Sequence, residues 1–447
     1  MPLTALEIYK YLPKTNCKDC KFPTCLAFSM ALAQKKASLS DCPHVSEDGK
    51  AALEGASAPP IRLESIGTGE RRVEIGGETV LFRHELTFFH PTALAVEVSD
   101  TLDEAALARA GEDIRGLSFE RVGMTIGVNL VAVRCQSGDP ARYASAVAAL
   151  RKSAGLPFVL IGRTPAAVEP ALKVLKGERP LIFAADRDTL DAMCALAKAH
   201  DALLAVTAES LDELAALTPR AAAAGVTDLV LGFEGRSLGR TLQDLSICRR
   251  AALKKAFRPL GYPLAVVASD ADPFAEAAAA ATCVAKYAGI VVVQGRSPAE
   301  ILAILTARQN IFTDPQKPIQ VKPGVYAIGE ATEKSPVLVT TNFSLTYYNV
   351  AGDVEASRVP SWILVVDTEG TSVLTAFASD KLNADKVTAM LKDGAGIASK
   401  VAHRKIVIPG LVAAMSAKLK DASGWEVMVG PRESSGIPKF LKSMPAG

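Results

Sequence analysis

Four cysteines within 26 residues constrain this chain more than any other feature: Cys17-x2-Cys20-x4-Cys25-x16-Cys42, with Pro43 after the last. Thiolates are the ligands that soft metals and iron–sulfur clusters select, and this spacing gathers four sulfurs around one small inorganic centre. A [4Fe–4S] cluster is the first reading. A structural zinc with four thiolates is the alternative, although zinc ribbons usually carry two C-x2-C knuckles and only one is present. Disulfides fit least. No signal peptide precedes the motif, and Cys135, Cys194, Cys248 and Cys283 stand singly in apolar segments, as unpaired core thiols do. The expected compartment is the reducing cytoplasm.

The residues between the ligands suit a cluster-binding loop. Phe22, Leu26 and Phe28 can cover the centre on the protein side and shield its sulfurs from water. Thr24 precedes the apolar, helix-forming run Cys25 to Ala37, which makes it a candidate N-cap. A helix starting there points its positive end at an anionic cluster. The same aromatics also serve as the core of a mini-domain, and a segment this short needs a metal to fold.

At 447 residues the chain exceeds what one core organises, so two to four domains are expected. A net charge of +2, with acids and bases interspersed, gives no reason to expect a nucleic acid or a membrane surface as partner. No apolar run approaches the ~20 residues that span a bilayer, and a soluble protein is expected.

Gly55 to Pro60, rich in small residues and proline, reads as a linker. Arg71–Ile75 and Thr79–Phe82 flank Gly76-Gly77 and predict a hairpin. Apolar, β-branched strands then recur at Leu94–Val98, Ile126–Val133, Phe158–Ile161, Leu181–Ala184, Leu203–Val206, Leu229–Gly232, Leu264–Ala268 and Ile290–Val293. Helical stretches such as Ala141–Ser153, Asp188–Ala199 and Leu211–Ala224 lie between them, so the sheet is parallel. Eight such units match a (β/α)8 (TIM) barrel, with an open doubly wound sheet as the alternative. Asp100, Gln136, Asp186, Thr207, Glu234, Asp270 and Gln294 fall at the strands' C-terminal ends, where such barrels do chemistry. No nucleophile, metal set or acid/base pair emerges among them, and Asp186 and Asp270 also read as helix caps.

Three prolines between Gln309 and Pro323 end this pattern. A second α/β region follows, with strands at Val337–Thr341, Trp362–Asp367, Lys405–Ile408 and Glu426–Val429 and helices near Ser344–Val350, Ala384–Leu391, Leu411–Leu419 and Pro438–Ser443. The layer order is Rossmann- or flavodoxin-like. Its strand ends carry small and hydroxyl residues: Thr340–Thr346, Asp367–Thr375, Pro409-Gly410 and Gly430–Gly436. In open α/β sheets that edge binds ligands, and four such loops could hold a large flat molecule; ordinary turns and caps account for any one of them. Neither G-x-G-x-x-G nor a P-loop is present, which argues against a nicotinamide or ATP site of the usual kind.

Asn16-Cys-Lys-Asp-Cys-Lys-Phe-Pro-Thr-Cys25 with Cys42-Pro43, the barrel, and the loops Thr340–Thr346, Asp367–Thr375 and Gly430–Gly436 together resemble the large (gamma) subunit of the corrinoid iron–sulfur protein of the reductive acetyl-CoA (Wood–Ljungdahl) pathway and the acetyl-CoA decarbonylase/synthase complex. The resemblance implies a multidomain α/β protein: a [4Fe–4S] domain (residues 1–57), a linker with a hairpin (58–92), a TIM barrel (93–312) and a corrinoid-binding domain (325–447). It implies a methyl carrier, a component of a corrinoid-dependent methyltransferase system. Cob(I)amide accepts a methyl group from methyltetrahydrofolate, with a separate methyltransferase, and the group passes to the nickel cluster of acetyl-CoA synthase. Cys17, Cys20, Cys25 and Cys42 would hold the cluster that re-reduces accidental Co(II). Further implied partners are a small barrel subunit, forming a heterodimer, and a reductive activator or ferredoxin.

Many cobalamin domains carry Asp-x-His-x-x-Gly, whose histidine ligates cobalt. After residue 325 this chain has one histidine, His403, without such a motif, and it reads as a surface residue. A base-off cobamide without a histidine ligand follows from the resemblance. Thr371, Ser372, Val373, Leu374 and Thr375 are the candidates to lie under its lower face. Thr340, Thr346, Gly370, Pro409, Gly410, Arg432, Glu433 and Ser434 are the candidates to hold the corrin amides and nucleotide tail. Two other functions stay open: an electron-transfer module with another flat cofactor such as a flavin, and a barrel that is itself a pterin-dependent methyltransferase through Asp100, Asp186 or Asp270.

Overall fold

A computed structural model describes residues 5–33, 37, 39–46, 49, 59–314, 318–394 and 396–444. The chain divides into two compact units, one of Met1–Ser118 with Gly127–Phe312, the other of Phe119–Ile126 with Thr313–Gly447. The predicted linker falls for the most part outside the described residues.

The strands of the first unit, in chain order, are β1 (Leu63–Ile66), β2 (Val73–Gly76), β3 (Ala93–Ser99) and, after a hairpin of β4 (Ser118–Arg121) and β5 (Met124–Gly127) that is counted with the second unit, β6 (Leu130–Arg134), β7 (Phe158–Ile161), β8 (Leu181–Ala185), β9 (Leu203–Val206), β10 (Leu229–Phe233), β11 (Leu264–Val267) and β12 (Ile290–Val293). Strands β3 and β6 to β12 close into an eight-stranded parallel barrel. They read as continuous apolar runs because both faces are covered, one by helices and one by the barrel interior. Alternate residues fill that interior, Ala93 and Ala95 from β3, Leu130 and Ala132 from β6 and Leu181 and Phe183 from β8 among them. Helices begin on side-chain caps: Asp103 accepts from the Ala106 N–H at 2.7 Å and Asp139 from the Ala141 N–H at 2.9 Å.

Two sequence expectations are corrected here. The hairpin exists, but it pairs β1 with β2 and the stretch Thr79–Phe82 is not a strand. Gly76 and Gly77 both take left-handed backbone (φ +85° and +69°), yet the chain beyond them does not return on β2. The buried Arg249 guanidinium instead takes the Val80 carbonyl, at 2.6 Å from one amino group. Ile66 and Ile75, both fully buried, join the barrel's interior cluster, so the hairpin plugs one end of it. The single strand expected over Ile126–Val133 is two: β5 ends at Gly127 and β6 starts at Leu130. Between them Arg308 takes the Gly127 carbonyl at 2.9 Å, and the Asn129 amide oxygen accepts from the Leu94 N–H at 3.1 Å.

The second unit holds β13 (Gly324–Ile328), β14 (Val337–Thr341), β15 (Ser361–Val366), β16 (Lys405–Ile408) and β17 (Glu426–Val429), in the order β13-β15-β14-β16-β17. The last four are parallel, and β13 adds to the β15 edge antiparallel. Taken in chain order the parallel strands run 2-1-3-4, the flavodoxin-like order, with the switch point between β14 and β16. An apolar core covers each face, one around Leu364, Ile406 and Leu419, the other around Val354, Ile363 and Val407. The helix expected at Ser344–Val350 runs on to Ser357, and the stretch Leu411–Leu419 is a 3₁₀ segment, Gly410–Met415, followed by the helix Ser416–Ser423. Among the described residues no helix is long and apolar enough to cross a membrane.

Candidate metal centre and cofactor crevice

Three of the four motif cysteines belong to one small buried cluster of side chains. Cys20, Cys25 and Cys42 are buried with Ile8, Leu12, Phe28 and Val45, whereas Cys17 is exposed. Burial pushes the Cys42 thiol up; the His44 backbone N–H opposes this, and the charges of Cys20, Cys17 and Cys25 add to the rise. Four soft donors with no disulfide between them fit a [4Fe–4S] cluster. The loop that carries them is wound by left-handed residues Lys14, Asn16, Lys18 and Lys21. Asn16 Oδ1 accepts from the Cys25 N–H at 2.8 Å, tying the first part of the loop to the start of the helix Cys25–Ala33.

Thr24 caps that helix as expected: its Oγ1 accepts from the Ala27 N–H at 3.0 Å. The helical run expected to Ala37 is seen to Ala33, and residues 34–36 lie outside the described residues. Phe28 is buried and Phe22 stacks against it at 5.5 Å, but Leu26 is 41% exposed and covers nothing. It occupies the outward face of the first turn, one residue along from the buried Cys25. Beside Cys17, His44 Nε2 pairs with Asp19 Oδ2 at 2.6 Å.

In the second unit a cavity of about 250 Å³ opens at the C-terminal edge of the sheet, at the switch point. The ladder between β14 and β16 is one pair, Leu338 with Val407, so the strand ends beyond it are free to frame a crevice. Thr340, Thr346, Ser372, Val373, Leu374, Pro409, Arg432 and Ser434 line it, eight of the predicted positions from four separate loops. Gly370, Thr371, Thr375, Gly410 and Glu433 do not line it. Asn349, Val350, Leu411 and Ile437 do, and they had no signal in the sequence because they read as ordinary helix positions.

One observation fits a ligand with polar groups, and a second shapes the loops around the crevice. The Thr340 hydroxyl, fully buried and on the cavity wall, has no hydrogen-bond partner among the described residues. Gly410 lies so close to the next loop that a Cβ would stand 2.6 Å from the Gly430 carbonyl oxygen, so its backbone is kept bare for loop packing. A residue outside the predicted set organises the rest. Asn342, almost wholly buried, accepts with Oδ1 from the Thr368 and Gly370 N–H groups at 2.9 and 3.0 Å, and donates with Nδ2 to Asp367 at 3.1 Å. It thereby holds Asp367, Thr368 and Gly370 in the loop that leads into Ser372 and Leu374. His403 stands at the other end of the sheet, before β16, with Nε2 at 2.9 Å from the Ser335 carbonyl oxygen. Among the described residues no histidine lines the crevice.

The barrel's strand-end residues satisfy one another. Arg134 donates to both Glu97 oxygens at 2.6 and 2.8 Å and to Glu234 at 2.7 Å, and Arg163 takes the other Glu234 oxygen. Asp100, fully buried, accepts from the Gln136 and Ser137 N–H groups, both at 2.9 Å. Asp186 accepts from the Thr189 N–H at 3.0 Å and Asp270 from the Asp272 N–H at 2.9 Å, so each closes a turn before a helix whose N-cap is Thr189 or Asp272 and is not itself the cap.

Residues 65–441 match the family described as CO dehydrogenase/acetyl-CoA synthase delta subunit, and residues 12–44 match one described as a putative Fe–S cluster. The corrinoid/iron–sulfur protein large subunit of Moorella thermoacetica is 45% identical over 99% of both chains. The acetyl-CoA decarbonylase/synthase complex subunit gamma of Methanothermobacter thermautotrophicus is 38% identical, again over 99% of both. Among solved structures, the 7,8-dihydropteroate synthase of Vibrio fischeri ES114 aligns at 14% identity and a TM-score of 0.39, over 50% of this chain and 95% of its own. With a cysteine-bearing N-terminal segment, a closed barrel and a flavodoxin-like sheet, and with full-length relatives of this similarity, the chain belongs to the family of corrinoid/iron–sulfur protein large subunits and acetyl-CoA decarbonylase/synthase gamma subunits.

Proposed function

We propose that the chain is a methyl carrier of the acetyl-CoA pathway, working between a methyltetrahydrofolate-dependent methyltransferase and the nickel cluster of acetyl-CoA synthase, with a small barrel subunit as its partner in the cytoplasm. The observation that carries this reading is the crevice at the switch point, with an unpartnered Thr340 hydroxyl on its wall and no histidine among its lining residues. When bound, the cobamide supplies a cobalt centre that takes up and releases the methyl group, and the [4Fe–4S] cluster supplies the low-potential electron that keeps cobalt reduced. Cys17, Cys20, Cys25 and Cys42 hold the cluster. Ser372, Val373 and Leu374 would form one wall of the cobamide site, where Leu374 is 53% exposed and offers an apolar contact. Thr371 and Thr375 shape that wall from behind, through Thr371 Oγ1 donating to the Thr368 carbonyl at 2.7 Å and a 3.1 Å hydrogen bond between Ser372 and Thr375. Thr340, Thr346, Arg432 and Ser434 meet the polar periphery, and Gly370, Pro409, Gly410 and Glu433 keep the loops in position around it. The division into residues 1–57, 58–92, 93–312 and 325–447 belongs to the same proposal.

The experiment is an absorption spectrum with metal analysis of the purified protein, before and after reduction. Corrin bands together with iron and sulfide are expected. Full iron without cobalt would sink the reading, flavin released on denaturation would favour an electron-transfer module, and methyl transfer by the lone chain from methyltetrahydrofolate to free cobalamin would favour the barrel as the catalyst.

A further inference from the structure

We propose that Gln320, on the segment that leads into the second unit, is a positioning residue for the corrinoid: it holds the buried Asn342, lies on Gly370, and through both sets the loop that leads into Ser372 and Leu374. The inference rests on the reading of the switch-point crevice as the corrinoid site and names a residue that acts on that site from outside it. Gln320 belongs to no strand or helix and does not line the cavity.

Asn342 is 1% exposed, so both N–H bonds of its amide need acceptors. The amide has one way round: Oδ1 takes the Thr368 and Gly370 N–H groups, and Nδ2 faces the Asp367 carboxylate. One N–H is left over, and Gln320 Oε1 accepts it at 3.2 Å. The backbone holds Gln320 to this task. The Val321 N–H donates to the Asn342 carbonyl at 2.9 Å and the Ser344 N–H to the Ile319 carbonyl at 3.0 Å, an antiparallel bridge centred on Gln320 and Phe343. The same side chain rests on the loop itself. A Cβ on Gly370 would stand 2.7 Å from Gln320 Cγ and 3.0 Å from its Nε2. Glycine is therefore required at 370 twice over, by a φ of +72° and by the closeness of Gln320. The lead-in segment thus clamps the loop at two points, and Ser372, two residues beyond Gly370, is on the cavity wall with Leu374. Any shift of the loop moves that wall, so cofactor affinity should respond to a side chain that stands off it.

The test titrates the full chain, freed of corrinoid and with its cluster in place, with hydroxocobalamin, and follows amide hydrogen exchange by mass spectrometry. Gln320→Ala should bind about fivefold more weakly than the parent, the loss of one hydrogen bond, and exchange should quicken in residues 367–371 alone, with iron at the parent's value. Gly370→Ala should bind more weakly still. Its Cβ displaces the Gln320 side chain, so Gly370→Ala/Gln320→Ala should lose no more affinity than Gly370→Ala by itself. Parental affinity in Gln320→Ala would overturn the proposal, as would losses that multiply in the double variant. Faster exchange spread over the whole sheet would also overturn it, since that marks a side chain that only supports the fold. A parent that binds no cobalamin, with loop exchange still quickened in Gln320→Ala, would fail the corrinoid reading and uphold the clamp, whereas parental loop exchange would overturn the clamp itself.

Discussion

The hydroxyl of Thr340 is buried at the end of β14 with no partner among the described residues, and an unmade hydrogen bond of this kind costs about 1–3 kcal/mol. Thr340→Val should therefore raise the stability of the cofactor-free protein by about 1 kcal/mol while weakening corrinoid binding roughly tenfold, the loss of one hydrogen bond. Thermal melts and a cofactor titration check the two halves; a variant that is less stable and binds as well as the parent would refute the assignment. Glu64 on β1 gives a second test. Burial first, and then Asp228, push its carboxyl up to about 8 from 4.5, against the opposing pull of Arg179 and Arg62. The unfolded chain releases this proton near 4.5 and the folded chain keeps it to about 8, so stability is full below the lower value and falls as pH rises to the higher one. Glu64→Gln should leave melting unchanged at pH 4 and gain about 2 kcal/mol at pH 8. At this scale the cysteines were legible because ligand spacing is local. Asn342 was not, because an asparagine after a strand reads as a turn residue until the four residues its side chain bonds fold around it.

At the scale of elements, the loop Asp367–Thr371 depends on Asn342 for its shape. Asn342→Ala would orphan the Thr368 and Gly370 N–H groups and should cost about 2–3 kcal/mol, with cobalt content falling alongside; a variant with parental stability would show that the loop holds itself. The eight barrel strands were legible since each is a short run buried on both faces. The elements that escaped are those whose burial comes from elsewhere. Strand β13 is half-exposed along its length and pairs only as an edge. The β4–β5 hairpin turns at Val122 and Gly123, without the asparagine or aspartate that usually announces such a turn. Gly123 is required there, since a Cβ would stand 2.3 Å from the Tyr348 hydroxyl.

For the whole molecule the proposed function gives separate tasks to separate regions, the cysteines for electrons and the switch-point crevice for the corrinoid, while in the barrel Arg134 pairs with Glu97 and Glu234. Cys20→Ala should then abolish cluster-driven reactivation while methyl transfer from chemically reduced protein persists; equal loss of both activities would make the cluster structural or directly catalytic. The 2-1-3-4 strand order puts the crevice where open α/β sheets bind ligands, and the alternation of strand and helix in the sequence foretold that edge without revealing which loop residues point into it. The most direct test of the central claim is the cobalt-to-iron ratio of a variant in which the crevice is filled. Ser372→Trp, on the cavity wall, should keep its iron and lose its cobalt. Cobalt retained at the parental ratio with the crevice filled would place the corrinoid elsewhere and contradict the account.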